Sequence, residues 1–319
     1  MEERPILVLS GPTASGKTAF AISLARYFPL EVVSADSMQV YRGMDVGTAK
    51  PTTAERAEVP HHLVDVADPD EGYSAGRFVA EAGEAIRGVR SRGRIPLVAG
   101  GTGMYIRALL KGLDPLPSDP VVRETFSRRW KEDGGKVLYE ELLRVDPASA
   151  ARIHPSDRVR VVRALEVAEM TGEPASARRE SWSSGGSRYR VLFLVREVDR
   201  EELYRRIDRR LDEMFRTGLV EEVEGLLAKG YPRTLPSMGA LGYRHVLSHL
   251  LDGIPREQAV REMKRDTRRY AKRQITWLSK ETGAVRVGEA SPTEAVAGEI
   301  ETFLGERGSG SGGRDRNVR

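Results

Sequence analysis

Ile6-Leu7-Val8-Leu9-Ser10-Gly11-Pro12-Thr13-Ala14-Ser15-Gly16-Lys17-Thr18 opens the chain with a strand-length apolar run, then a glycine-bounded turn, then a lysine and a threonine. The stretch from Gly11 to Thr18 fits the pattern G-x-x-x-x-G-K-[ST]. It lies between a strand pattern and a helix pattern, the context in which that spacing makes a P-loop. Backbone N–H groups of 13 to 18 would surround a diphosphate, aided by the positive end of the following helix. Lys17 would neutralise phosphate oxygens, and the Thr18 hydroxyl would hold Mg²⁺.

The pattern continues outward from this turn. Ala19 to Tyr27 reads as a helix, Glu31 to Val33 and Leu63 to Val66 as strands, Ser74 to Arg92 as a helix, and Ile95 to Ala99 as another strand. Strands alternating with helices predict right-handed βαβ units. The expected fold class is therefore α/β, a P-loop NTPase-like parallel sheet with helices on both faces. After Leu113 the pattern changes: Asp114 to Pro120 is proline-rich, and 121 to 180 reads as helices without a strand. This predicts an inserted all-helical domain over 114–187, closed by the flexible Ser183 to Ser187. Arg190 to Val195 predicts a return to the sheet, long charged helices run to Lys280, and Val285 to Val287 reads as a short strand. The core is thus expected at 1–113 and 188–303, with a disordered glycine-rich tail at 304–319.

Composition narrows the function classes. Among 319 residues there is no cysteine, which removes disulfides, thiolate metal sites and thiol nucleophiles. No apolar run approaches the length of a membrane span, and the N-terminus lacks a signal-peptide pattern, so a cytoplasmic protein that meets no membrane is expected. The net charge is 51 − 47 = +4. Arg261 to Lys280 alone carries eight Lys/Arg against Glu262 and Asp266, leaving the remainder of the chain slightly acidic. A basic stripe on a neutral body is the footprint of a protein that meets phosphates in one place. Within it, Met263, Tyr270, Ala271, Trp277 and Leu278 fall near one helical face; Lys264, Arg265, Arg268 and Lys272 fall near another.

Three further segments carry chemistry. The second strand ends in Ser34-Ala35-Asp36-Ser37-Met38-Gln39, and strand C-termini are where ligands lie in such sheets. Asp36 can accept a proton, and Gln39 can offer a donor and an acceptor to a base edge; Asp36 also fits a plain helix N-cap. The strand at 96–99 ends in Gly100-Gly101-Thr102-Gly103 rather than the aspartate of hydrolytic P-loop enzymes. Its glycines would let backbone approach a ligand closely, and Thr102 offers a hydroxyl beside the P-loop. Leu203 to Phe215 is an amphipathic helix whose arginines face solvent or a cleft. His245 and His249 lie one turn apart without a third ligand, so no metal site is expected there.

The segments Gly11–Thr18, Asp36–Tyr41, Gly100–Tyr105 and Arg268–Trp277, in this order, resemble the bacterial tRNA dimethylallyltransferase (tRNA isopentenyltransferase) family. Arg158–Glu166, Leu203–Ile207 and Gly239–Arg244 match further, and the similarity covers about 5 to 290. The resemblance implies transfer of a dimethylallyl group from dimethylallyl diphosphate to N6 of adenosine 37, beside the anticodon of tRNAs reading codons that begin with U. Mg²⁺ would be the cofactor, the anticodon stem-loop of tRNA the partner, and a monomer the working unit. Asp36, Thr102 and Arg206 would be catalytic, with Asp36 as base and the other two supporting the leaving diphosphate, which Gly11, Pro12, Thr13, Ala14, Ser15, Gly16, Lys17 and Thr18 cradle. Asp36, Ser37, Met38, Gln39 and Thr102 would meet the tRNA at the reacting base. Arg123, Arg160, Val161, Val162, Arg163, Ala164, Arg244, Arg268, Lys272 and Arg273 would meet it elsewhere, making 114–187 a tRNA-binding domain. A small-molecule P-loop kinase, a free-AMP isopentenyltransferase and a non-catalytic RNA-binding ATPase remain as competing readings.

Overall fold

A computed structural model describes residues 5–113, 117, 119–177, 187–305 and 317–318. Seven parallel strands form one sheet in the order β3-β2-β4-β1-β5-β6-β7. They are β1 Pro5–Ser10, β2 Leu30–Ser34, β3 His61–His62, β4 Ile95–Gly100, β5 Arg190–Arg196, β6 Val285–Val287 and β7 Asn317–Val318. The N-terminal strand β1 lies between β4 and β5, with Leu7 paired to Leu97 on one side and to Leu192 on the other.

The central strands are apolar throughout because both faces are covered. Ile6 and Val8 join Val33, Val98, Phe78 and Ile86 in one cluster, while Leu7 and Leu9 join Val32, Leu97, Phe20, Leu24 and Ile300 in the other. The period of two along β1 therefore divides the core into two layers. Helix α1 (Lys17–Ala25) and α13 (Thr293–Gly305) cover one face. Helix α3 (Ala75–Ser91) covers the other, with Phe78, Ala82, Ile86 and Val89 buried at helical spacing and Ser74 accepting from Arg77 N as its cap. Helices α2 (Thr53–Glu58) and α4 (Gly103–Lys111) complete this half.

A third cluster lies among four later helices: α9 (Arg200–Arg216), α10 (Leu219–Ala228), α11 (Tyr243–Asp252) and α12 (Arg256–Leu278). Leu203, Ile207, Leu211 and Met214 from α9 meet Tyr243, Val246 and Met263 there, together with Val40, Tyr41 and Met44. Contacts divide the chain into two compact units, 1–110 with 188–319, and 111–187. The second unit is built from α5 (Pro120–Glu132), α6 (Gly135–Val145), α7 (Pro147–Ala150) and α8 (Arg158–Thr171) around Phe126, Leu138, Leu142, Val161 and Leu165.

Two local expectations fail. The third strand lies at 61–62, not at 63–66: Leu63 and Asp65 take φ of 60° and 59°, and that alternation turns the chain. Asp65 is held there by Lys50 and Arg56 at 2.6 and 2.8 Å. Nor is 304–319 wholly irregular. Leu304 and Gly305 finish α13, where Leu304 packs against the core, and β7 pairs with β6. The rest of that tail, most of the 114–118 connector and residues 178–186 lie outside the described residues.

Candidate functional site

The site begins at the C-terminal end of β1. The first turn of α1 leaves backbone N–H groups without intrahelical partners, and the loop before it aims more of them the same way. Gly16 at φ 80° is the residue that turns the loop into the helix. The amides of Ala14, Gly16, Lys17 and Thr18 take no backbone partner among the described residues. Two amides of the expected cradle are already engaged: Ser15 N donates within the loop to Pro12 O at 3.2 Å, and Thr13 N donates to Gln274 Oε1 of α12 at 2.8 Å. The anion nest is therefore narrower than 13 to 18. Lys17 Nζ folds back onto the carbonyls of Gly11 and Pro12 at 3.0 and 2.9 Å. Burial pulls its pKa down to about 8, helped by the Arg210 charge and opposed by Asp36.

Asp36 follows β2 directly. Its Oδ1 accepts from Met38 N at 2.9 Å and Gln39 N at 3.4 Å, so a local turn aims the carboxylate. The side chain borders two cavities. One is small and lined also by Lys17, Thr18, Ser34, Gln39 and Gly100. The other is a cleft of about 300 Å³, polar at Thr13, Asp36, Ser37, Arg210 and Tyr270 and apolar at Ile207, Leu211, Met214, Leu241 and Met263. Thr102 Oγ1 accepts from Ser37 N at 3.0 Å, locking the β4 turn to the β2 turn. Burial, with Asp36 adding to it, pushes the Tyr270 hydroxyl up to about 12. Thr18 and Asp36 offer a hydroxyl and a carboxylate to one small cavity, an all-oxygen set that suits a hard divalent cation such as Mg²⁺.

Several sequence expectations shift here. Gly100, Gly101 and Gly103 do permit close approach, but to protein: a Cβ would overlap the Ala35 backbone, the Gln274 amide and the Trp277 ring respectively. Gln39 is already engaged, with Nε2 near the carbonyls of Thr48 and Ala49 at 3.4 and 3.3 Å and Oε1 accepting from Ser34 Oγ. Arg206 turns away from the cleft to Glu202 at 2.9 Å and to Glu289. Arg210, one turn further along α9, lines the cleft instead, and its Nη1 lies 3.4 Å from Thr13 Oγ1. The helical period made Arg210 findable: it shares a face with Ile207, Leu211 and Met214, the residues already assigned to the buried stripe.

The basic helix is less free than its charge suggests. On α12, Arg268 pairs with Asp208, Lys264 with Asp212, and Arg265 and Arg269 with Asp266, which also holds Arg244 at 2.7 Å. Lys272 is exposed and forms no ion pair among the described residues; Arg273 borders the cleft and stacks on Tyr270. In the helical unit, Arg123 and Arg163 both reach the fully buried Glu166, at 3.0 and 2.9 Å. Arg160 is largely exposed at the N-terminus of α8, while Val161, Val162 and Ala164 are buried among its neighbours. Apart from Arg163, the middle of that segment is core.

A parallel sheet with a P-loop at β1, a glycine turn where a hydrolytic aspartate would stand, and an amphipathic cleft beside the loop define a P-loop-type group transferase. The comparisons agree. A model described as IPP transferase matches residues 39–281, and one described as isopentenyl transferase matches 5–68. The chain belongs to the IPP transferase family. A tRNA dimethylallyltransferase of Desulfosudis oleivorans is 48% identical over 300 residues, 94% of this chain and 96% of that protein. One from Geobacter metallireducens is 45% identical over 303 residues, 95% and 98% of the two chains. The crystal structure of a tRNA delta(2)-isopentenylpyrophosphate transferase from Staphylococcus epidermidis, 36% identical, superimposes with a TM-score of 0.69 over 96% of this chain and 100% of that one. A eukaryotic dimethylallyltransferase acting on tRNA gives 0.79 at 26% identity, over 96% and 80%. No helix among the described residues is long and apolar enough to cross a membrane.

Proposed function

We propose that this chain is a tRNA dimethylallyltransferase that joins a dimethylallyl group from dimethylallyl diphosphate to N6 of adenosine 37. The observation that carries the reading is the cleft's polarity. Arg210 and the Thr13 hydroxyl line the same cleft as Ile207, Leu211, Met214 and Met263, and Lys17 lines the small cavity that shares Asp36 with it. A nucleoside triphosphate has no use for such a lobe, whereas a branched five-carbon chain on a diphosphate fills it.

The diphosphate rests on the amides of Ala14, Gly16, Lys17 and Thr18, with Lys17 leaving its two carbonyls for the phosphate oxygens. Arg210, rather than Arg206, faces the charge that grows on the leaving group. Thr18 would hold Mg²⁺, which would supply further neutralisation of the diphosphate and leave Asp36 free to act as base. The adenine is taken out of the anticodon-loop stack so that N6 can reach the cleft. Its nitrogen forms a bond to the allylic C1 as the C1–O bond breaks, the electron pair leaves with diphosphate, and the N6 proton passes to Asp36. Lys272, Arg273 and the exposed arginines of 111–187 contact the tRNA backbone, and the protein acts as a monomer in the cytoplasm.

The test offers labelled dimethylallyl diphosphate to unmodified tRNA, to AMP, and, with labelled ATP, to small acceptors. Label in tRNA alone is the expected outcome; label in AMP or a phosphorylated small molecule rejects the reading. Asp36→Ala should lower kcat by about 10²-fold or more with tRNA affinity nearly intact, and unchanged turnover would remove Asp36 as base.

A further inference from the structure

One buried polar side chain near the cleft joins the two glycine loops yet belongs to neither. Gln274 lies on α12 and is only 3% exposed. Its Oε1 accepts from Thr13 N at 2.8 Å, and its Nε2 donates to Gly101 O at 3.0 Å. One amide thus ties the P-loop to the β4 turn, bridging sequence separations of 261 and 173 residues. The seat is shaped for it: a Cβ at residue 101 would occupy the space of the Gln274 amide, so glycine there makes room for this contact. The bond to Gly101 is buried and the bond from Thr13 partly so, so losing the amide leaves the buried Gly101 carbonyl without this partner.

The geometry points to Gln274 as a positioning residue for the donor. By holding the Thr13 amide outside the anion nest, it fixes the first turn of the P-loop and thereby the direction of the remaining free N–H groups. By holding Gly101 it also fixes the start of the turn whose Thr102 hydroxyl locks Ser37 beside Asp36. Its neighbours on the same helix, Lys272 and Arg273, are exposed. The side chain therefore makes α12 the common reference for the diphosphate loop and the loop that carries the base. Gln274 touches neither reactant. This role rests on the diphosphate binding at the P-loop, as proposed above.

Gln274→Met keeps the volume and removes both hydrogen bonds. In calorimetry with dimethylallyl diphosphate and with inorganic pyrophosphate, wild-type protein binds both. The variant is expected to bind each about tenfold more weakly or worse, with the donor KM raised in proportion and the tRNA Kd within about twofold. Wild-type donor affinity and KM in a folded variant would overturn the positioning role. Absence of donor binding by the wild type would instead overturn the donor reading itself. Gln274→Glu provides a second measurement in case the methionine variant does not fold. Its carboxylate still accepts from Thr13 N but can donate to Gly101 O only when protonated, so its donor affinity relative to wild type should recover as pH falls toward about 5. A pH-independent ratio between the two proteins would overturn the proposal as well.

Discussion

At the scale of single residues, the site separates two arginines that a sequence motif cannot. Arg206 is neutralised by Glu202 and Glu289, while Arg210 meets the cleft with Thr13 and is desolvated there, its charge opposed by burial and restored by Asp36. Arg210→Ala should therefore raise the donor KM and lower kcat by roughly 10²-fold combined, and Arg206→Ala should change either by less than about threefold. Steady-state kinetics on the two variants decide between them; the reverse order would return the leaving-group role to Arg206. Lys17 makes a pH prediction. With its pKa lowered to about 8 in the free protein, it is charged below that pH and loses its proton above it. A bound diphosphate requires the charged form, so binding above pH 8 must take up a proton. Donor affinity should then fall about tenfold per pH unit between 8 and 10; calorimetry across that range showing flat affinity would remove Lys17 from the diphosphate site.

At the scale of elements, the basic helix illustrates how pairing reduces nominal charge. Replacing Arg268 frees Asp208, so the local field loses one positive charge that was already compensated. Lys272→Ala should flatten the slope of log tRNA affinity against log salt by about one phosphate equivalent, and Arg268→Ala by clearly less. Equal changes would show that the Arg268–Asp208 pair opens on binding. The α12 stripe was legible from sequence at Met263, Ala271 and Leu278, since apolar side chains reveal a buried face by their spacing. Gln274 shares that face yet was not legible, because its amide enters the core only with partners elsewhere in the chain, Thr13 and Gly101, to satisfy it. The strand at 61–62 escaped for a related reason. Leu63 and Val66 carry the apolar pattern of a strand, but the left-handed backbone at Leu63 and Asp65 is imposed by contacts, not by these residue types.

At the scale of the whole molecule, the chain divides into a sheet-based unit and a helical one. The helical unit contains a fully buried carboxylate, Glu166, satisfied by Arg123, Arg163 and the Asp119 amide. Glu166→Ala leaves two guanidinium groups without their counter-charge and should destabilise that unit by about 3 kcal/mol. Hydrogen exchange is expected to rise over the described parts of 111–187 while amides of β1 and β4 stay protected; uniform loss across both units would show that they unfold as one. The alternation of strands and helices, the insertion between β4 and β5, and the P-loop itself were readable because each rests on local pattern: hydrophobic period, turn chemistry and a phosphate-binding spacing. The kind of reaction was readable only through the resemblance of four motifs to a family; the glycine turn standing where hydrolysis would need an aspartate spoke only against a hydrolase. What tertiary structure alone decided is which polar groups are available. Thr13 N, Gln39, Arg206 and Arg268 are all polar in sequence and all occupied in the fold, while Arg210 and Lys272 are left to face the cleft or solvent. Availability depends on partners that lie tens to hundreds of residues apart, and folding alone brings those partners within hydrogen-bonding distance.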